Sequence, residues 1–212
     1  MSLQRCTDRA RLGIGLLAVV LIAACAGGPP KPREAAESVV VSTAPEIPPE
    51  AQTLFEQAAA AMAAGDAVDA ELRFEEFVLL YPDYPGPHVN LAIIHAASGD
   101  DVAAREALDA ALALNPDHPE ALNQLGMLLR RNGNFLEAEA AYLKAVTVSP
   151  EHALAHYNLG VLNELYLQRL DVALQHFEIY QSLVGDDPQV EKWITDLRRR
   201  VAATQRTANV KE

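Results

Sequence analysis

The sequence predicts an all-α protein in which helical hairpins stack into a solenoid. Three prolines, Pro82, Pro116 and Pro150, lie 34 residues apart, and each is followed by an acidic residue in the phrases LLYPDY, ALNPDH and TVSPEH. Glycines at 65, 99 and 133 repeat with the same spacing. Alanine is abundant and aromatic residues make up only 6% of the chain, which favours closely packed helices over a sandwich of sheets. A period of this length is typical of helix–turn–helix arrays.

The first 24 residues are predicted to be a signal peptide. Arg5, Arg9 and Arg11 form a basic start, and an apolar run follows from Leu12 to Cys25. The run is too short for a comfortable membrane-spanning helix and ends in small residues, as secretory signals do.

The end of this run, Ile22-Ala23-Ala24-Cys25, resembles the lipobox of bacterial lipoproteins, with Ile where Leu is usual. The resemblance implies cleavage before Cys25 and its acylation, for example with palmitate. An uncut membrane anchor and an ordinary secreted protein are the alternatives. Neither Ala26 nor Gly27 is the Asp associated with retention at the inner membrane, so we expect the outer membrane, on its periplasmic face. The other cysteine, Cys6, would leave with the signal, and no disulfide is expected.

Residues 25–50 are predicted to be a tether that begins at the lipidated cysteine. Six of the 13 prolines lie in this segment, and no helical period survives there. Proline-rich chain is extended, at about 3 Å per residue, so the tether would hold a folded part some tens of Å from a membrane.

The period divides the rest of the chain into units at residues 51–84, 85–118, 119–152 and 153–187. The third unit, PEALNQLGMLLRRNGNFLEAEAAYLKAVTVSPEH, is similar to the tetratricopeptide repeat (TPR) family. It matches the characteristic places of that family with Leu122, Leu125, Gly126, Leu129, Ala138, Tyr142, Ala145 and Pro150. The resemblance implies a right-handed α-solenoid of four helix–turn–helix hairpins.

Small residues predict where the two helices of each unit approach one another. They occupy the eighth place of every unit, as Ala58, Ala92, Gly126 and Gly160. The turn glycines suit the left-handed conformation that ends many helices. Asp66, Asp100 and Asn134 follow them as caps for the second helix, and the recurring proline ends that helix. The fourth unit departs from this pattern, because it has no turn glycine and is one residue longer.

After Pro188 an apolar stripe predicts one more helix. Its members recur at helical spacing, as Val190, Trp193, Ile194, Leu197 and Val201. We expect residues 188–204 to cap the last hairpin and residues 205–212 to form a flexible tail.

Charge and motifs argue against an enzyme or a nucleic-acid binder. The formal net charge of −12 opposes binding to nucleic acid or to an anionic bilayer surface. No serine-hydrolase elbow, Walker loop or dinucleotide fingerprint occurs. His118 and His152 hold the same place in successive units and are too far apart to share a metal ion. We therefore predict no catalytic residues, no metal and no cofactor.

The resemblance implies a groove on the concave face, lined by the first helix of each unit, that binds an extended peptide or a helix of another protein. Carried over place by place, its predicted lining is Phe55, Met62, Val89, Asn90, Ile93, Asn123, Gln124, Met127, Arg131, Tyr157, Asn158 and Val161. Asparagine amides can pair with a partner's backbone, and Arg131 with its neighbour Arg130 can hold a carboxylate. The first helices contain no lysine, so the chaperone-tail clamp of some relatives is not expected.

The sequence thus predicts a non-catalytic scaffold or assembly factor of the bacterial cell envelope, lipid-anchored to the outer membrane. Similar tethered arrays act as pilotins for pilus or secretion channels or as adaptors of envelope enzymes, and the sequence does not choose between these roles. An accessory to, or part of, a cell-wall or glycan enzyme is one alternative, although little chain remains for a catalytic domain. A self-associating structural spacer is another.

Overall fold

A computed structural model describes residues 47–209 of the chain, with side chains up to residue 206. This part contains nine α-helices and no strand. Eight of them pair as hairpins: α1 (Pro49–Ala63) with α2 (Ala67–Leu80), α3 (Pro85–Ser98) with α4 (Asp101–Leu114), α5 (Pro119–Arg131) with α6 (Phe135–Val148), and α7 (Ala153–Leu165) with α8 (Leu170–Val184). The ninth, α9 (Pro188–Asn209), packs on α8. The predicted all-α solenoid of four hairpins and a capping helix is confirmed.

The predicted signal peptide, Cys25 and most of the predicted tether lie outside the described residues. α1 begins at Pro49, where a proline at the first helical place loses no hydrogen bond. At the other end, α9 continues to Asn209, beyond the predicted boundary at residue 204. No proline or glycine occurs between residues 204 and 209, so nothing in the local sequence ends the helix earlier.

Three hairpin turns use the glycines that the period singles out. Gly65, Gly99 and Gly133 have φ angles of 80°, 86° and 79°, a left-handed conformation that costs glycine little. The fourth turn has no glycine, and Gln168 takes the left-handed conformation there with a φ of 58°. The longer fourth unit therefore forms its turn with Gln168, a residue for which the left-handed conformation is less favourable than for glycine.

Side chains cap most of the helices at their first turn. Asp66 and Asp100 each accept the backbone N–H of the third residue on, at 3.1 and 2.9 Å, as predicted. Asn134 makes no such side-chain bond. His118 and His152 cap α5 and α7 through ring Nδ1, at 3.3 and 3.2 Å, a role that the sequence analysis missed. Because an accepting Nδ1 carries no proton, each ring is held with its proton on Nε2.

The two helices of a hairpin meet at the small residues of the eighth place. Gly126 lies under the ring of Tyr142, and Gly160 lies under the ring of Phe177. A Cβ on these glycines would lie 2.5 and 2.7 Å from the nearest ring carbon, closer than real Cβ contacts come. In the second hairpin, Ala92 shares the core with the smaller Leu108 instead. Side-chain size is therefore matched in these three hairpins, as close packing requires, whereas the first hairpin packs Ala58 with Phe74.

Successive hairpins stack through both helices. The second helix of each hairpin contacts the first helix of the next, and in addition α3 contacts α5 and α5 contacts α7. The first helices therefore form a continuous layer, which we call the inner layer. Core residues cross the boundary between hairpins, since Leu91 and Ile94 of α3 join the core of the first hairpin. At the C-terminal end, Val190, Ile194 and Leu197 of α9 are buried against the last hairpin.

Candidate functional site

All the predicted groove residues lie in the inner layer, but their exposure differs. Two are exposed, Met127 and Arg131. Seven are half-buried: Phe55, Met62, Asn90, Ile93, Gln124, Tyr157 and Val161. Three are buried: Val89, Asn123 and Asn158. A partner resting on the inner layer would meet the first two groups, whereas the buried three contact only the protein itself.

The buried asparagines join the third and fourth hairpins. Asn158 Nδ2 donates a hydrogen bond to Asn123 Oδ1 at 2.9 Å, and Asn123 is 0% exposed. Beside them, the Glu120 carboxylate accepts hydrogen bonds from Gln124 Nε2 at 2.7 Å and from His152 Nε2 at 3.0 Å. The Asn158–Asn123 and His152–Glu120 bonds hold α7 against α5, and the first of them uses amides that were predicted to bind a partner.

The Glu120–His152 pair links charge to helix capping. The bond to the Glu120 carboxylate raises the pKa of His152, and the same bond lowers the pKa of Glu120. A second proton on His152 would have to occupy Nδ1, which accepts the backbone N–H of Ala155 at the start of α7. Protonation would therefore strengthen the ion pair at the cost of the cap.

A second histidine pair lies inside the fourth hairpin. His156 Nε2 donates to the Pro150 carbonyl at 3.0 Å, which leaves its Nδ1 to accept from His176 Nδ1 at 3.0 Å. Burial lowers the pKa of both rings, that of His176 to about 4. The pair is therefore neutral at pH 7 and serves packing rather than binding.

Arg131 is engaged within the array. Its guanidinium donates to the Ala96 carbonyl at 2.7 Å and forms an ion pair with Asp101. Both partners belong to the second hairpin, so Arg131 ties the third hairpin to the second. Asn90 is similarly occupied, since its amide donates to the Gly86 carbonyl within α3 at 3.1 Å.

A cleft of about 520 Å³ lies between the second and third hairpins, where their first helices end. We call it the Arg130 cleft. Its larger lining side chains are Gln124, Met127, Arg130, Arg131, Phe135 and Tyr166. The rings of Phe135 and Tyr166 stack at its edge with centroids 4.5 Å apart. They come from different hairpins, so the sequence alone gave no sign that they meet.

Arg130 is the cation of this cleft that no carboxylate neutralises. It forms no ion pair within the described part of the chain, and its buried Nε has no hydrogen-bond partner there. The buried hydroxyl of Tyr142 lies beside Arg130 and interacts with its side chain. Burial raises the pKa of Tyr142, and the positive charge of Arg130 partly opposes that rise. Arg130 and Arg131 are adjacent in the sequence, and of the two only Arg131 has a carboxylate partner in the structure.

Aromatic clusters occupy both ends of the inner layer and contain two of the predicted residues. Phe55 packs against Phe77 with ring centroids 6.0 Å apart, and Tyr157 packs against Tyr180 at 5.3 Å. The inner hairpins have alanine at the places of Phe77 and Tyr180. The outer hairpins therefore carry larger side chains at this place than the inner ones, and Phe77 packs against Tyr84 at the boundary with the second hairpin. Phe55 also lines an apolar pocket of about 320 Å³ at the start of the array.

Neither a metal site nor a membrane span is found between residues 47 and 209. In that part of the chain, no three His, Cys, Asp or Glu side chains converge so that they could hold a metal ion. No helix there is both long and apolar enough to cross a bilayer.

Solved structures share this fold. A structure of PilF from Pseudomonas aeruginosa is 24% identical, with a TM-score of 0.64 over 73% of this chain and 72% of that chain. MamA is 26% identical, with a TM-score of 0.54 over 63% of this chain and 77% of its own. MamA from Desulfovibrio magneticus is 19% identical, with a TM-score of 0.60 and 77% and 92% coverage. A search of curated proteins gives no match. The TPR fold binds peptides or proteins, and its members are generally non-catalytic scaffolds.

Family models agree with the structural likeness. Two models, each described as a tetratricopeptide repeat, match residues 61–128 and residues 123–189. Together they span residues 61–189, more than half of the 212-residue chain. The chain belongs to the tetratricopeptide repeat family.

Proposed function

We propose that this protein is a lipid-anchored scaffold or assembly factor of the bacterial cell envelope, and that its inner layer recruits another envelope protein. The observation that carries the proposal is the Arg130 cleft. It combines an uncompensated cation, stacked aromatic rings and the exposed Met127 on a surface that the TPR fold uses for partners. Aromatic, methionine and arginine side chains are enriched where proteins bind one another.

The anchor rests on the N-terminal sequence. The lipobox-like run that ends at Cys25 and the proline-rich segment after it support a folded array held away from the outer membrane, in the periplasm. Such a protein would act as a pilotin-like factor for a pilus or secretion channel or as an adaptor for envelope enzymes. The identity of the partner decides between these roles.

Site-specific photo-crosslinking in cells tests the partner surface. A photoreactive amino acid at Met127 lies on the inner layer, whereas one at Leu79 of α2 lies on an outer helix and is also exposed, at 81%. We expect Met127 to capture one discrete envelope protein and Leu79 to capture background. Equal capture patterns at both positions would contradict the proposed surface.

Lipidation is tested separately by substitution of Cys25. Wild-type protein should incorporate a palmitate analogue and fractionate with the outer membrane. Cys25→Ser should lose the label and appear unprocessed, while Cys6→Ser, the matched control, should behave like the wild type. Incorporation that survives Cys25→Ser would refute the anchor and leave the scaffold function standing.

A further inference from the structure

The Arg130 cleft differs in charge from the equivalent cleft one repeat earlier. No acidic residue lines the Arg130 cleft, although acidic residues outnumber basic ones by 29 to 17 in the chain. The equivalent cleft between the first and second hairpins, of about 470 Å³, is lined by Glu71 and by no lysine or arginine. There, Ala97 occupies the place that Arg131 holds one repeat later. Of these two equivalent clefts, only the Arg130 cleft is lined by cations.

The two arginines of the cleft are not equivalent. Asp101 and the Ala96 carbonyl engage Arg131, so its charge is largely neutralised. Arg130 has no such carboxylate, and its neighbour is the buried hydroxyl of Tyr142, a neutral group. A cation in a partly apolar cleft is costly without a counter-charge, so a carboxylate that enters the cleft would stabilise Arg130. A carboxylate is the group that matches the planar fork of an arginine.

We propose that the Arg130 cleft binds an acidic side chain of the partner polypeptide, with Arg130 as the receptor for its carboxylate. Apolar residues that flank this acidic residue pack on Met127 and on the stacked rings of Phe135 and Tyr166. The inference rests on the proposed function, because it assumes that the inner layer binds a polypeptide.

The cleft favours an acidic side chain over other anions because its walls are mixed in character. Met127, Leu128, Phe135 and Tyr166 give it apolar surface beside the cation, which suits a carboxylate set between apolar residues. A partly enclosed site also strengthens the attraction between the charges, because water screens them less. An extended segment that crosses the inner layer presents side chains rather than chain ends to the cleft.

Binding of three acetylated tripeptides to the full-length protein tests the inference. The probes are acetylated Leu-Glu-Leu amide, acetylated Leu-Gln-Leu amide, and acetylated Leu-Gln-Leu with a free terminal carboxylate. Binding is followed by NMR through the backbone signals of Arg131 and Gly133 and the side-chain Nε–H signal of Arg130. We expect the Glu peptide to bind about 10-fold more tightly than either Gln peptide, since neither of these presents a carboxylate from a side chain between its leucines.

Two arginine variants locate the effect. Arg130→Met keeps the aliphatic stem and should abolish the roughly 10-fold preference for Glu. Arg131→Met, the matched control, should keep most of it, because that arginine is already paired. Arg130→Met should also be about as stable as the wild type, since the change breaks no ion pair and keeps the aliphatic stem. A purely structural arginine would lower the melting temperature on this change.

The remaining outcomes overturn the inference in distinct ways. Equal binding of the three peptides, or no binding by any, means that the cleft does not recognise carboxylates. Tight binding of the free-terminus peptide alone assigns the cleft to a chain end rather than a side chain. If Met127 still captures a discrete envelope protein in either case, the scaffold function survives. If the protein prefers the Glu peptide but the photoreactive amino acid at Met127 captures no discrete protein, the cleft binds carboxylates and the proposed recruitment of an envelope protein is wrong.

Discussion

Gly126→Ala should destabilise the protein even though alanine is the better helix former. Gly126 lies in the middle of α5, where alanine gains about 1 kcal/mol over glycine by propensity. The new Cβ would lie 2.5, 2.6 and 2.8 Å from three ring carbons of Tyr142. That ring is 0% exposed and has no room to withdraw. Overpacking typically costs about 1–3 kcal/mol, and contacts this short with a fully buried ring put the cost at about 3 kcal/mol.

The net loss in the free energy of unfolding is therefore about 2 kcal/mol, the overpacking penalty less the gain in propensity. For a protein of this size we expect the melting temperature to fall by about 4–8 °C. Urea denaturation followed by far-ultraviolet circular dichroism measures the free energy directly. The slope of unfolding with urea should stay unchanged, since the surface exposed on unfolding does not change.

Two further variants separate the clash from any general effect of the substitution. Gly86→Ala makes the same change in α3, where the new Cβ would lie 3.7 Å from Phe55, an ordinary contact, and stability should hold or rise. In a Tyr142→Leu background, Gly126→Ala recreates the Ala92–Leu108 pairing of the second hairpin and should no longer destabilise. If Gly126→Ala lowers the free energy of unfolding equally in the wild type and in the Tyr142→Leu variant, the size-matching argument is refuted.

Three other predictions follow from the turns and the buried polar groups. Gln168→Gly should stabilise the protein by about 1 kcal/mol, because glycine adopts the left-handed turn without strain; an unchanged urea midpoint would contradict this. Stability should fall as pH drops from 6.5 towards 4, since unfolded His176 binds a proton that the folded ring, with its pKa of about 4, refuses. By pH 5 this loss reaches about 2 kcal/mol, and the difference between wild type and His176→Gln at each pH should show it. Asn158→Ala should cost about 1–3 kcal/mol by urea denaturation, because it leaves Asn123 Oδ1 buried without a donor, whereas Asn90→Ala on the same layer should cost less than 1 kcal/mol.

The hairpins were predictable from sequence because each place in the repeat has a local role. Gly99 must turn left-handed and Asp100 must cap the next helix, and both requirements are met by residues adjacent in the chain. The contacts of the candidate site, in contrast, join residues that are far apart in the chain. The engagement of Arg131 by Asp101 joins residues 30 positions apart, and it depends on how two hairpins sit together.

For the same reason, the sequence could not predict which groove residues are exposed and which are buried. A place on the first helix indicates the inner layer but does not say how deeply the side chain sits. Asn123 and Asn158 look like surface amides in the repeat pattern, yet their neighbours bury them as a pair. Histidine capping of α5 and α7 was overlooked because histidine is not among the usual capping residues. Its recurrence at one place in two successive units was the available signal.

The position of the only tryptophan limits what fluorescence can report about this protein. Trp193 of α9 lies with its ring centroid 5.6 Å from that of Phe177 and 6.0 Å from that of Tyr157, in the cluster beneath the C-terminal helix. Each hairpin of such an array touches only its neighbours, so opposite ends can melt separately. Tryptophan emission therefore follows the C-terminal end, while circular dichroism averages over every helix. Separate midpoints for the two signals would identify which end of the array unravels first.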